Sequence, residues 1–264
     1  MNEGNDKTVY HYTNLNIFMK YILPTKQLKL GKIMDSRDPY EYRAFKVRSM
    51  EDDSLAKDIK FLDFLNAARN LKLNSQYLCF CMPACKHIGD YYYTHWGFDR
   101  PKVWESYGDK HQGVCIAVNR YQLLSEFDNK KLTIQSGQLE HGRIVYKDIV
   151  CRSNDLKPIT LRSYYREVRQ FNQADFLEEF KQAFFFQKDY DYQDENEYRL
   201  VYITSKQQED LNIDISNSVT ALYFGDKVES SFIEFYKKLI KREFPNIKLH
   251  QVQWFNGTAE LRNI

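Results

Sequence analysis

At 264 residues with 43% hydrophobic and 16% aromatic content, the chain is long enough for one large core and is no disordered tail. Its 20 Tyr and 18 Phe call for an interior of rings whose hydroxyls find partners. The formal charge of +2 excludes a globally basic nucleic-acid binder, five cysteines cannot all pair internally, no apolar run is long enough to span a bilayer and the first residues lack a signal-peptide pattern, so the expectation is a reducing cytoplasm and no membrane partner.

Val9-Tyr10-His11-Tyr12 reads as a strand, and Thr13 is placed to cap a helix carrying Leu15, Phe18, Met19, Ile22 and Leu23 until Pro24 stops it. Gln27 to Leu30 resumes as a strand. Leu55, Ile59, Leu62, Leu65 and Ala68 form a stripe that predicts an amphipathic helix from Ser54 to Leu71. Tyr77 to Cys81 and Val114 to Val118, the second opened by Gly113, have the apolar character of buried strands, and Arg143 to Tyr146 reads as another. The spacing of Leu161, Tyr165, Val168, Phe171, Phe176, Phe180, Ala183 and Phe184 predicts a long helix or a helix pair up to Phe186. Strands follow at Tyr198 to Ile203, Ala221 to Phe224 and Ile247 to Trp254, with a helix at Ser231 to Glu243; Asn119 to Leu139 reads as a loop. Helices interrupting a sheet throughout, without repeat or linker, point to an α+β fold in one domain over 1–264.

Several chemistries lack their signatures. No Gly-x-Gly-x-x-Gly occurs, Gly108 to Gly113 is followed by Val114 where a Walker lysine should stand, and neither His-Glu-x-x-His nor Gly-x-Ser-x-Gly is present. Cys79, Cys81, Cys85 and His87 raise a metal question, but Cys-x-Cys is tighter than a zinc knuckle and no second ligand pair follows, so no metal is expected. A local surplus of Lys20, Lys26, Lys29, Lys32, Arg37, Arg43, Lys46 and Arg48 is a solvated rim or a phosphate-tracking groove. Two segments remain, His11-Tyr12-Thr13 and Glu195-Asn196-Glu197-Tyr198-Arg199. In an extended strand Glu195, Glu197 and Arg199 would share one face, as a surface ion-pair ladder or as a functional cluster.

The blocks His11-Tyr12-Thr13, Asp38-Pro39-Tyr40-Glu41, Tyr77-Leu78-Cys79-Phe80-Cys81, Trp104-Glu105-Ser106-Tyr107 leading to His111-Gln112-Gly113-Val114, Val145-Tyr146, Glu195-Asn196-Glu197-Tyr198-Arg199-Leu200 and Leu222-Tyr223-Phe224-Gly225 stand in a fixed order. In that order, over nearly the whole chain, they resemble a bacterial family of unknown function often found near phage-defence genes. The opening strand and helix also resemble DarT-like and RNA 2'-phosphotransferase-like members of the ADP-ribosyltransferase superfamily, although no Ser-Thr-Ser strand motif is present.

That resemblance implies a split, mainly antiparallel sheet with flanking helices and a site that consumes NAD as substrate. His11 would hold the NAD ribose or nicotinamide amide, with Tyr12 and Thr13 at the same strand end. Trp104 or Tyr107 would stack on nicotinamide, and Glu197 would be the catalytic carboxylate, because losing nicotinamide builds positive charge on the ribose. Glu195 would orient or deprotonate the acceptor, and Arg199 would hold Glu197 or a diphosphate oxygen. The implied activity is mono-ADP-ribosyl transfer by a toxin or phage-defence effector, onto an RNA or DNA base in preference to a protein side chain, with an antitoxin as partner. Arg37, Arg43, Lys46 and Arg48 would then position a phosphate backbone. Two rivals are a noncatalytic nucleotide- or partner-binding module and a nuclease or phosphotransferase centred on His11, His87, His95 or His111.

Overall fold

The computed structural model describes residues 7–36, 38, 41, 58–88, 91–134, 136–147 and 161–264. Its main sheet takes strands from almost the full length: β1 (Thr8–Thr13), β2 (Gly31–Lys32), β3 (Gln76–Cys81), β4 (Val114–Asn119), β5 (Gln138–Arg143), β6 (Glu197–Ile203), β7 (Val219–Phe224), β8 (Lys248–Phe255) and β9 (Thr258–Asn263). The order across the sheet is β9-β8-β7-β4-β1-β3-β6-β5, with β2 against β3. Pairing is antiparallel except between β7 and β8, so the fold is α+β with a mixed, mainly antiparallel sheet flanked by helices. Among the described residues no helix is long and apolar enough to cross a membrane.

Strand alternation divides the side chains between two faces. Val9, Leu78, Phe80, Ile116 and Leu200 enter one core cluster with Phe18, Ile22 and Ile233. On the opposite face Val201 and Ile203 join an aromatic cluster built on Phe61, Phe64, Tyr165, Phe176 and Phe180, while Tyr10, Tyr12, Cys81 and Trp104 form a third. Full burial of each such apolar side chain stabilises the fold by about 1.5–3 kcal/mol.

One irregularity positions the site. β1 pairs with β4 residue for residue from Thr8↔Asn119 to Thr13↔Val114, but with β3 only at Tyr10↔Cys81. Beyond that pair β1 and β3 part, and the sheet opens along His11 and Tyr12.

Several elements differ from their sequence readings. Asn14, not Thr13, caps the first helix, its Oδ1 accepting from the Asn16 and Ile17 amides. Pro24 does not stop that helix: the chain stays helical from Leu15 through a wider π-turn at Phe18–Ile22 into Leu23–Thr25, and Lys26 at φ 55° ends it. The helix expected from Ser54 to Leu71 runs Ile59–Asn74 from the Asp58 cap, and the Ser54 start lies outside the described residues. Its buried side is Phe61, Phe64, Ala68 and Leu71, whereas Ile59 is 74% exposed. Phe61 and Phe64 pack against Tyr165 and Phe64 against Phe176, which turns the helix towards the aromatic cluster. Asn119 to Leu139 is no loop: Asn119 caps the helix Arg120–Asn129, and β5 follows. The expected strand at Arg143 to Tyr146 divides at Ile144 into the end of β5 and a short strand Val145–Lys147. The Leu161 to Phe186 stretch, by contrast, takes the helix-pair form its spacing allowed, Leu161–Val168 and Gln173–Phe185, parted at Arg169 with φ 58°.

Candidate functional site

The parted strands border a cleft of about 120 Å³. β1 contributes His11 and Tyr12, β3 contributes Cys79 and Cys81, and the segment after β2 contributes Ser36, Asp38 and Glu41. Tyr107 enters from the helix Pro101–Tyr107, Lys188 from the short strand Gln187–Asp189, Glu195 from the end of the 3-10 helix Tyr190–Glu195 and Glu197 from the start of β6. His11 and Glu197, 186 positions apart, thus border one space.

Glu195 reaches it by a route that strand alternation did not foresee. It is the last residue of a 3-10 helix, Tyr190–Glu195, and Asn196 takes a left-handed conformation at φ 41° before Glu197 opens β6. Asparagine tolerates that conformation better than most residues. Its Nδ2 donates to the Met82 and Pro83 carbonyls at 2.9 and 3.0 Å, and its carbonyl accepts from the Met82 amide. Arg100 donates to the Met82 and Asp194 carbonyls, tying the same turn to the helix that carries Tyr107.

The charged groups form an alternating chain. Lys188 Nζ lies 2.7 Å from Glu195 Oε2 and 2.9 Å from Glu197 Oε2. Arg199 places Nε 2.6 Å from Glu197 Oε1 and Nη2 2.6 Å from Glu41 Oε1, and its Nη1 donates to the Phe185 carbonyl. The Ser36 and Tyr77 hydroxyls donate to Glu41 Oε2, and the Tyr107 hydroxyl donates to Glu195 Oε1 at 2.9 Å. The Glu197 amide donates to the Tyr146 hydroxyl.

These contacts split the carboxyls. Burial would raise Glu197, but Arg199 and then Lys188 overcome it and hold the group well below the usual carboxylate range. Glu41 is likewise lowered, burial being outweighed by Arg199 and Lys188. Glu195 is raised, because burial outweighs the attraction of Lys188. Burial lowers His11, with the Cys79 carbonyl acting in the opposite sense, so the ring is neutral near pH 7. Its Nδ1 lies 2.9 Å from the Cys79 oxygen. A carbonyl only accepts, so Nδ1 carries the proton and Nε2 is left as an acceptor for an O–H or N–H. Burial pushes the Cys81 thiol up to about 12 and raises Cys79, which removes both as thiolate nucleophiles.

Trp104 and Thr13 are corrected as cofactor contacts, and of the two roles expected for Arg199 the hold on Glu197 is the one formed. Trp104 is 0% exposed, donates Nε1–H to the Phe98 carbonyl at 2.7 Å and meets the Tyr12 ring edge-on, so it is core and offers no stacking face; Tyr107, 40% exposed, borders the cleft instead. Arg199 is buried with Nε, Nη1 and Nη2 committed to protein partners, so it holds Glu197 and leaves no free fork for a diphosphate. Thr13 is buried outside the cleft lining, its carbonyl lying where a Cβ on Gly113 would come to 2.3 Å, and Tyr12 spends its hydroxyl on the Gly97 carbonyl.

Among the described histidines, His11 is the one in the cleft. His95 pairs with Asp99 and His111 with Asp226, both outside the cleft lining, and the His87 side chain lies outside the described residues. No group of three or more His, Cys, Asp or Glu among the described residues is arranged to hold a metal ion. Arg37, Arg43, Lys46 and Arg48 lie outside the described residues. Sequence reasoning missed Lys188, whose three-residue strand Gln187–Asp189 pairs with Val145–Lys147 away from the main sheet and leaves no periodic signal.

Residues 103–200 match the model of a family described as a protein of unknown function, DUF2971. That span holds Tyr107, Lys188, Glu195, Glu197 and Arg199 and omits His11 and Glu41, so it is shorter than the nearly whole-chain resemblance read from the ordered blocks. No curated protein and no solved structure is matched.

Proposed function

We propose that the cleft binds NAD and that the protein is an NAD-consuming mono-ADP-ribosyltransferase, a bacterial toxin or phage-defence effector that modifies an RNA or DNA base and is held in check by an antitoxin. The observation that carries this reading is the convergence of a neutral histidine, an exposed tyrosine ring and two carboxylates on one cleft at the parted strands. The three carboxylates of the charge chain outnumber its two cations, which suits the pyridinium ring of nicotinamide better than an anion.

On this reading Tyr107 stacks on the nicotinamide and His11 Nε2 accepts from a ribose hydroxyl or the carboxamide. The bond between ribose C1' and the pyridinium nitrogen breaks with its electron pair moving to that nitrogen, so nicotinamide leaves neutral. The ribose carries the developing positive charge, and the anionic Glu197 stabilises it. A nucleophilic atom of the acceptor then bonds C1', and Glu195 takes the proton it releases. The test is incubation of purified protein with labelled NAD and separate pools of RNA, DNA and protein. Label in a nucleic-acid pool supports the reading, and label confined to the protein pool replaces its acceptor.

A second reading, a noncatalytic binding module, is favoured by one feature: both Glu197 oxygens are already engaged and its side chain is 3% exposed. The same assay separates the two, since NAD binding without turnover in any pool belongs to the module.

A further inference from the structure

Lys188 is buried beside two carboxylates that reach it from different directions, Glu195 from a 3-10 turn and Glu197 from β6. Both Oε2 atoms touch the same ammonium, at 2.7 and 2.9 Å, and the Tyr192 ring lies 5.0 Å from it. Glu197 has a second cation in Arg199, which also holds Glu41. Glu195 does not: its other oxygen receives the neutral Tyr107 hydroxyl. From β3, Cys79 and Cys81 face the cluster as neutral thiols, and the Tyr146 hydroxyl meets the Glu197 amide. Two buried carboxylates without a counter-ion between them would share a proton.

We propose that Lys188 is a positioning residue that favours the ionised form of Glu195 by sharing one ammonium between the two glutamates. Glu195 is then able to take a proton, while Glu197 is held anionic by Arg199 whether or not Lys188 is present. The use of that proton acceptor in transfer rests on the NAD reading; the charge-setting role does not.

The experiment follows the carboxyl carbons of isotope-labelled glutamate by NMR across pH in the parent, Lys188→Met and Lys188→Arg, with Glu195→Gln and Glu197→Gln supplying the assignments. Lys188→Met should move the Glu195 titration up by about 1–3 pH units and leave Glu197 nearly in place, and Lys188→Arg should restore the parent curve. A Glu195 titration that does not move, or a shift carried by Glu197 instead, overturns the proposal. In labelled-NAD transfer the acidic limb of the pH profile should move with the Glu195 titration. An inactive parent sinks the NAD reading while the NMR result still decides the role of Lys188. If Lys188→Met does not fold, Lys188→Met with Glu195→Gln removes the stranded carboxylate as well and should fold; failure of the double variant to recover overturns the proposal.

Discussion

Arg199 Nη2 lies 2.6 Å from Glu41 Oε1 although 158 positions separate the two residues, and both are buried. The pair joins the Asp38-Pro39-Tyr40-Glu41 block to the block at the start of β6. Removing one partner of a buried pair strands the other, so Glu41→Gln should cost about 3 kcal/mol in urea unfolding. The exposed Lys102–Asp194 pair supplies the control, and Lys102→Met should cost less than about 1 kcal/mol. Equal effects would show that the Arg199–Glu41 contact adds no more than a surface ion pair.

Acid should reveal the same network. Glu41 and Glu197 are lowered in the folded chain, so their contribution is complete above the unfolded carboxylate value of about 4.3 and is lost as pH falls through the folded values. Glu195, raised, acts in the opposite sense: its contribution is present at low pH and fades as pH rises through its folded value. Arg199→Met removes the main attraction on both lowered groups. The stability gap between that variant and the parent should therefore narrow as pH falls from about 5 towards 2. A gap that stays constant over that range would remove Arg199 as the cause.

Glu197→Gln keeps the shape of the side chain and removes its charge. On the NAD reading it should cut label transfer by roughly a hundredfold or more, with NAD affinity nearly unchanged, because the charge matters most to the developing oxocarbenium. Undiminished transfer would take Glu197 out of the mechanism.

Trp104 and Tyr107 sit one helical turn apart and should respond differently. Trp104→Ala leaves a cavity beside Tyr12 and should cost about 3–5 kcal/mol in stability. Tyr107→Ala, at a half-exposed ring, should leave the melting temperature nearly unchanged and weaken NAD binding roughly tenfold through the lost stacking face. Calorimetric melting with titration of NAD reads both, and a large stability loss at Tyr107 would return that ring to a structural role.

Asn196 combines a left-handed backbone with a clamp on Met82 and Pro83. Asn196→Gly should lose only the clamp, about 1–2 kcal/mol, whereas Asn196→Ala should add about 1–2 kcal/mol of backbone strain. Alanine tolerated as well as glycine would mean that the turn relaxes without the left-handed residue.

Alternation and helical spacing were enough to place β1, β3, β4, β6 and β7 and the helices at Leu161–Val168, Gln173–Phe185 and Ser230–Glu243, because each buries one face against a neighbour and that burial leaves a period in the chain. They also put Glu197 and Arg199 on one face of β6. The remainder was set by contacts between segments far apart in sequence. Whether Trp104 or Tyr107 meets the cleft depends on Phe98 and Tyr12 closing around the indole. Glu195 joins Glu197 through the turn at Asn196, which Met82 and Arg100 hold from another part of the chain. Lys188 has no local pattern at all; its position follows from the pairing of Gln187–Asp189 with Val145–Lys147, and only that packing brings its ammonium between two glutamates. Periodicity records which way a side chain faces, whereas the partner it meets is settled when burial removes water and every buried charge must find its opposite.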